Sequence, residues 1–530
     1  MHRRGVILAI VCLPVFIGAL DLTIISAVLP DVIVQLNIPL QSGLDHAAWV
    51  VSGYLLAYAV SMTFMGRVSD LWGRRRVYLI CLAIFFVGSW LVAASPDWPA
   101  ELAYRSARLL GDRFPDRSLM ALNALIFGRV VQAFGAGAMV PVSMALVADL
   151  YPPQQRALPL GVIGAVDTAG WVLGHLYGGV MIQFVAWPFL FWINLPVVAA
   201  LFGLTVWVFR GHADASEQTR IDWLGAALIA GALVCLNLGL GAAETSPAGV
   251  ESTAQPGFAP LPLLLGALLL ALFLLHQRRA AHPLLDLSIF TNRNVSAASA
   301  MNLLVGFCLM VGLVSVPLFI NIAGQGSSGQ GALVSGYLLS TFTLPLALAA
   351  LPGGWLTPRL GYRRTALLGM LIAAAGFGLM TRWQPEMAAQ AVAFVGGARS
   401  AEINAQILRM VIGLIGAGIG LGLTIAPIGT AVINGVRESE RGIAAAVVII
   451  LRLIGMSLCV SALTSYGLQR TTAISRQLLD GVTVTDFGRM AQAAVQAVTQ
   501  VTTEMAWIAL IICVAALPLA WLLRRDVVQV

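Results

Sequence analysis

Two carboxylates stand out for where they lie. Of the chain's 24 acidic residues, only Asp21, in Leu20-Asp21-Leu22-Thr23-Ile24-Ile25, and Asp167, in Val166-Asp167-Thr168, fall well inside long apolar runs. An ionisable side chain at membrane depth costs at least about 2.5 kcal/mol, so one kept there is a functional candidate by default. Such a carboxylate can bind and release a proton. The competing reading is a structural acid hydrogen-bonded between helices. Three arginines, Arg129, Arg409 and Arg452, also lie in apolar runs. Arg129 needs a partner or a wet cavity at its depth. Arg452, near the middle of its run, either lines a cavity or makes a structural pair, and Arg409, near the end of its run, snorkels to the surface. His175 follows Asp167 by eight residues. On a helix this places both on roughly one face, where an imidazole can couple to the acid. A packed, hydrogen-bonded histidine is the plainer alternative.

Other chemistries find no residues to carry them. All 31 basic side chains are arginine, so there is no lysine for a nucleotide phosphate or a Schiff base. The six cysteines lie in apolar runs without CxxC spacing, and the histidines are scattered, so no metal site is expected. Neither HExxH nor GxSxG occurs, and no acid pair flanks a nucleophile, so no catalytic residues are assigned. The run Gly416-x-Gly418-x-Gly420-x-Gly422 has no preceding strand and reads as close helix packing rather than a dinucleotide loop. The net charge of +7 is spread over short turns rather than gathered in one patch, which argues against nucleic acid.

The elements that position these groups must be membrane helices. With 59% hydrophobic and 10% charged residues and a mean hydropathy of +0.88, the bilayer is the solvent for most of the chain. A window of about 20 apolar residues finds six spans between residues 7 and 209, two near 222–242 and 260–276, and six between 295 and 523. The first continues through Asp21 to Pro30 with no small-x-small site and reads as an uncleaved span. With the N-terminus inside, 19 arginines fall in inner segments and nine in outer ones, so both termini are expected in the cytoplasm. The outer arginines concentrate in segments 96–120, 383–403 and 469–500. The first of these reads as a solvated loop or as an amphipathic helix on the outer membrane face.

Two turns match in register. Gly66-Arg67-Val68-Ser69-Asp70-Leu71-Trp72-Gly73-Arg74-Arg75-Arg76 repeats its glycines and last two arginines in Gly354-Trp355-Leu356-Thr357-Pro358-Arg359-Leu360-Gly361-Tyr362-Arg363-Arg364, with Pro358 in the place of Asp70. Each turn follows the second span of a six-span block. Parallel repeats of this kind are a transporter architecture.

At these residues the chain resembles the major facilitator superfamily, in particular its fourteen-helix drug:proton antiporter branch, close to the actinobacterial lipid and multidrug exporters. Further matches are Leu20–Pro30, Phe127-Gly128-Arg129-Val130-Val131-Gln132-Ala133-Phe134-Gly135, Gly170-x-x-x-Gly174-His175-x-x-Gly178-Gly179, and the turn His282-Pro283-Leu284-Leu285-Asp286-Leu287. His175 stands where the branch usually has proline. The resemblance implies an all-α integral membrane protein of fourteen helices. Residues 1–210 would form one six-helix bundle, 211–280 two extra helices, and 281–530 the second bundle. It implies a proton-coupling role for Arg129 near Asp21, beside which membrane depth makes Asp21 and Asp167 the proton-carrying candidates and His175 and Arg452 further coupling candidates. It implies gating by Gly66, Asp70, Gly73, Arg75 and Arg76, and an antiporter motif at Gly170, Gly174, Gly178 and Gly179. The expected activity is proton-driven export of hydrophobic or amphiphilic compounds by alternating access, of the multidrug efflux type. The alternative is export of lipid or glycolipid to the outer leaflet, with an extracytoplasmic lipid-accepting partner. No cofactor beyond the proton gradient is expected, and the expected location is the plasma (inner) membrane. Both buried acids are expected at a central cavity.

Overall fold

With no water to satisfy them in hydrocarbon, backbone N–H and C=O groups must pair within their own segment, so an apolar chain of this kind folds as helices. The computed structural model describes residues 2–36, 38, 44–109, 116–182, 184–210, 222–240, 259–280, 283, 285–323, 328–395, 405–478 and 487–524. The long elements are α1 (His2–Gln35), α2 (Leu44–Trp72), α3 (Arg74–Ala93), α4 (Trp98–Leu109), α5 (Arg117–Leu150), α6 (Ala157–Met181), α7 (Trp187–Val208), α8 (Trp223–Leu240) and α9 (Pro260–Gln277). They continue as α10 (Arg293–Ala323), α11 (Ser328–Met380), α12 (Pro385–Val395), α13 (Ala405–Asn434), α14 (Arg441–Leu478) and α15 (Phe487–Leu522).

Eleven of the described helices are long and apolar enough to cross a membrane, and Ala157–Trp171 and Trp223–Leu236 are shorter apolar ones. One of the eleven, Val334–Met380, is two spans, because its backbone breaks at Gly361. Together they make fourteen apolar spans among the described residues. Gly73 (φ 94°) and Gly361 (φ 84°) are the glycines of positive φ among the described residues. They occupy the same register position of the two matched turns. Left-handed backbone reverses the chain between tightly packed helices there, and only glycine adopts it cheaply.

Two large apolar cores form. One gathers Tyr54, Phe85 and Met139 with other residues of α1, α2, α3, α5 and α6. The other gathers Phe319, Phe342 and Phe377 with residues of α10 to α15. Ala445, Ala446, Ile449 and Ile450 of α14 join the first core, so that core runs across the seam between the halves. The extra pair packs to one side: α9 lies on α8, and α8 touches α2 and α14.

Several helices outrun the apolar windows that mark them in the sequence. α1 extends from His2 to Gln35, and α11 continues past residue 355 as far as Gly361. α14 and α15 reach 38 and 36 residues and take in much of segment 469–500. Hydropathy locates the stretch in contact with hydrocarbon, whereas a helix stops where its backbone bonding stops. Segment 96–120 contains a helix, α4, and segment 383–403 contains α12. Residues 110–115 and 396–403 of those segments, like His282 and Leu284 of the turn before the second block, lie outside the described residues.

Replacing either turn glycine by alanine forces a side chain into left-handed backbone. Gly73→Ala and Gly361→Ala should each cost about 1–2 kcal/mol, read as a lowered melting temperature of the detergent-solubilised protein. An unchanged melting temperature in both variants would show that the turns relax without strain.

Candidate functional site

The glycines of α6 set the geometry around both buried acids. A Cβ at Gly170 would press on Ala19 and the Phe16 carbonyl, and one at Gly174 would collide with the Leu20 carbonyl and the Thr23 hydroxyl. α1 and α6 therefore cross in backbone contact, next to Asp21 on one helix and Asp167 on the other. Gly178 is buried too, while a methyl at Gly179 would meet open space. α6 runs unbroken through His175, whose side chain lies outside the described residues.

Asp21 is fully buried and fully engaged. Arg129 Nη1 donates to its Oδ2 at 2.5 Å, Gln132 Nε2 to Oδ1 at 3.0 Å and Asn194 Nδ2 to Oδ1 at 3.3 Å. Arg129 donates also to Gln132 Oε1 at 2.7 Å, and Gln132 Nε2 to Ser89 Oγ at 2.9 Å. The Arg129 guanidinium lies 3.9 Å from the Tyr54 ring centroid, a cation–π contact in a dry site. Both charged side chains are 0% exposed. Asp21 does not line the cavity described next, contrary to the expectation that both acids face it. Its carboxylate is held inside the first half by α5 and α7.

Asp167 is placed differently. Arg452 Nη2, on the other half, donates to its Oδ2 at 3.1 Å. Its Oδ1 and the Trp171 Nε1 one turn along α6 are both buried and make no hydrogen bond of ordinary length and angle among the described residues, although the indole N–H bears on the carboxylate. Arg452 is fixed by a close crossing, since a Cβ at Gly306 or Gly455 would strike the Arg452 or Leu303 carbonyl of the facing helix. The pair lines a small cavity of about 40 Å³ with Met144, Ile163, Asn302, Ile425 and Val448 among the other walls. That space suits on the order of one or two waters, far less than the ~300–1,000 Å³ of a small-molecule pocket. An under-bonded carboxylate beside a water-sized space, paired across the two halves, is the arrangement that can exchange a proton and register the exchange as a change of contact between halves.

A third cluster joins the halves at the arginine-rich face. Asp70, ending α2, accepts from Gly442 N at 3.0 Å and Ile443 N at 3.2 Å, capping the first turn of α14. Gly66 allows this approach, because its Cβ would meet the Gly442 carbonyl. Arg67 donates to the Ser439 carbonyl at 3.0 Å, and Arg74 to the Glu438 carbonyl at 2.7 Å and to Asp70 at 3.2 Å. Arg74 also pairs with Asp149, which Arg441 reaches at 2.8 Å from the other half. The second matched turn makes the complementary seam, with Gly354 against the backbone of Ala157 and Leu158 at the start of α6. No side chain caps α6, and Arg156 there donates to Asn434 Oδ1 at 2.7 Å. Burial pushes the Arg156 guanidinium down to about 10, with Arg441 adding to the effect. Asp286 is held below the usual carboxylate range by the Ser288 backbone N–H, with Arg437 contributing.

A model of the major facilitator superfamily matches residues 11–460. The chain belongs to that superfamily. It is accordingly a multi-pass membrane transporter and not an enzyme. This facilitator is 34% identical over 472 residues to a triacylglyceride transporter of Mycobacteroides abscessus, covering 89% of this chain and 84% of that one. It is 33% identical to a triacylglyceride transporter of Mycolicibacterium smegmatis, with 88% and 76% covered. A probable triacylglyceride transporter of Mycobacterium leprae is 31% identical, with 96% and 94% covered. Among solved structures, a human organic anion transporter shares the fold at a TM-score of 0.56 and 14% identity, covering 96% of this chain and 99% of that one. A proton:xylose symporter gives 0.56 and 13%, with 96% and 95% covered.

In this facilitator the turn residues divide unevenly. Asp70 and Gly66 lie in the seam, and Gly73 makes the reversal. Arg75 is half-buried and Arg76 exposed, while Arg74, absent from the sequence-based candidates, holds the network together. Asp149, Glu438 and Arg441 were equally unmarked as site residues. Their only signal is a charged run, Arg437-Glu438-Ser439-Glu440-Arg441, facing an acid at the end of an apolar span.

The two buried acids should respond differently to neutralisation. Asp21→Asn leaves Arg129 buried without its counter-charge and should cost about 3–5 kcal/mol, whereas Asp167→Asn, next to a cavity, should cost clearly less. Thermal unfolding in one detergent ranks them, and the reverse order would refute the distinction. At the seam, Arg74→Gln should raise the labelling rate of a cysteine placed at Ser69, which is buried beside Gly442, while Arg75→Gln should not. Equal rates would remove Arg74 from the closure.

Proposed function

We propose that this transporter carries triacylglycerol-class lipid across its membrane by alternating access, driven by protons exchanged at Asp167. The observation that carries the cargo assignment is the run of relatives, 31–34% identical over 88–96% of this chain, that are named as triacylglyceride transporters. Physical chemistry agrees with it. Triacylglycerol is bulky, uncharged and almost wholly apolar, and the interior walls offer it Val140, Met144, Leu160, Ile163, Ile428 and Ile449. Efflux of apolar drugs would use the same walls, and the names of the relatives favour lipid.

The cavity of about 40 Å³ cannot hold three acyl chains, so cargo moves only when the halves part. With 19 arginines on one face against nine on the other, the arginine-rich face is the cytoplasmic one, and both termini lie there. The structure is joined on that side by Asp70, Arg74 and Arg441. Protonation of Asp167 removes the charge that holds Arg452 at 3.1 Å and loosens one link between the halves. Asp21, saturated by three donors, serves as the fixed anchor that keeps Arg129 in place. Export toward the outer leaflet then supplies lipid to an acceptor outside the membrane.

Proteoliposomes loaded with fluorescent triacylglycerol test the reading. A pH gradient should accelerate lipid movement by the unaltered protein, and Asp167→Asn should abolish the acceleration while leaving slow downhill exchange. Gradient-driven movement of a cationic dye but not of lipid would replace lipid by drug as cargo. Full acceleration in Asp167→Asn would take the proton away from this acid.

A further inference from the structure

The first half carries a helix that the apolar cores do not explain. α4 has one buried residue, Pro99, and exposes Trp98, Leu102, Arg105, Arg108 and Leu109. Its counterpart between the third and fourth spans of the second half, α12, is packed: Met387, Ala388 and Ala391 are buried, and Trp383, just before it, packs at a tilt on Phe319 with ring centroids 5.0 Å apart. The difference needs an occupant for the open face of α4.

Continuity with α3 identifies that occupant. Ile80, Ala83, Val87 and Trp90 are all exposed, and they recur at helical spacing as one stripe along α3. On a membrane-spanning helix such an apolar stripe faces lipid. α3 has 20 residues, so it rises about 30 Å from the arginine-rich face, the thickness of the hydrocarbon core. Trp90 therefore sits near the opposite interface, where tryptophan is favoured. Trp98 packs on it, with ring centroids 5.3 Å apart, and extends the lipid-facing stripe onto α4. Leu102 and Leu109 follow Trp98 at helical spacing on the same exposed side, at 61% and 88% exposure. On its inner side α4 is tied to α5 by the Arg117 guanidinium, 4.9 Å from the Tyr104 ring centroid. The helix is thus held at the height of the interface with its apolar residues turned out. Arg105, bonded to Glu101 at 2.9 Å yet 72% exposed at the side chain, and exposed Arg108 border that face. An apolar face bordered by arginines is the composition of helices that lie in the head-group layer.

We propose that α4 is an interfacial helix that beds Trp98, Leu102 and Leu109 in the leaflet opposite the arginine-rich face, and that Arg105 and Arg108 take anionic phospholipid head groups there. The lipid of the surrounding leaflet, rather than a protein partner, covers this face. The assignment rests on no step of the transport cycle.

A Leu102→Cys variant labelled with bimane in liposomes of phosphatidylcholine and phosphatidylglycerol tests it, with identically treated unaltered protein giving the background from Cys235. Brominated phospholipid should quench the dye strongly and aqueous iodide weakly. Quenching by iodide as efficient as that of the free dye would overturn the proposal and leave α4 as a water-exposed surface open to a protein. A second label at Ser106→Cys guards against a folding defect at Leu102. Retention of phosphatidylglycerol by the purified protein, read by native mass spectrometry, should fall about fivefold for each of Arg105→Gln and Arg108→Gln. Retention unchanged, or equal for phosphatidylcholine, would remove the head-group contacts.

Discussion

Charge in hydrocarbon must be cancelled where it stands, and this structure is organised around that demand. Asp21 and Arg129 cancel each other inside one half, at 0% exposure and with every carboxylate oxygen bonded. Asp167 and Arg452 cancel each other between halves, through one bond and with an oxygen left over. The first pair fixes α1, α5 and α7 together. The second ties one half to the other through a single ion pair. Glycine supplies the access: backbone contact at Gly170, Gly174, Gly306 and Gly455 brings the four helices close enough for short-range pairing to decide their positions.

The fold was legible in the sequence because hydrocarbon leaves little choice of structure. Long apolar runs, arginine-bearing turns and two matched glycine turns suffice to read an all-helical membrane transporter, and the glycines at residues 73 and 361 prove to carry positive φ at the two matched turns. Helix ends were less legible, because amphipathic continuations such as those of α14 and α15 carry no hydropathy signal. The acids were legible as isolated charges, and Arg129 as the partner of Asp21. That Arg452 answers Asp167 across 285 residues of chain follows from how two halves meet, which periodicity does not encode. The same limit hid Arg74 and Asp149, whose roles exist only once the ends of α5 and α14 face each other.

Burial alone did not distinguish the two acids; bonding did. Asp21 and Asp167 are alike in depth and in having an arginine, and a reading from position treats them as equals. The number of donors on each carboxylate, and whether a water-sized space adjoins it, set the two apart. The same comparison of like elements exposes α4 against α12, where equivalent places in the two halves have met opposite surroundings.

The unequal turns have a mechanical consequence. Where the first turn closes on the second half through Asp70 on the start of α14, Arg74 on the Glu438 carbonyl and the Asp149–Arg441 pair, the second places proline and closes through glycine contacts and the Arg156 guanidinium on the Asn434 amide. Ionic strength weakens the partly exposed Asp149–Arg441 pair of one seam and leaves the backbone contacts of Gly354 in the other as they are. The two halves are thus hinged like a door with unlike fittings. Added salt therefore slackens the ion-paired fitting before the backbone-packed one.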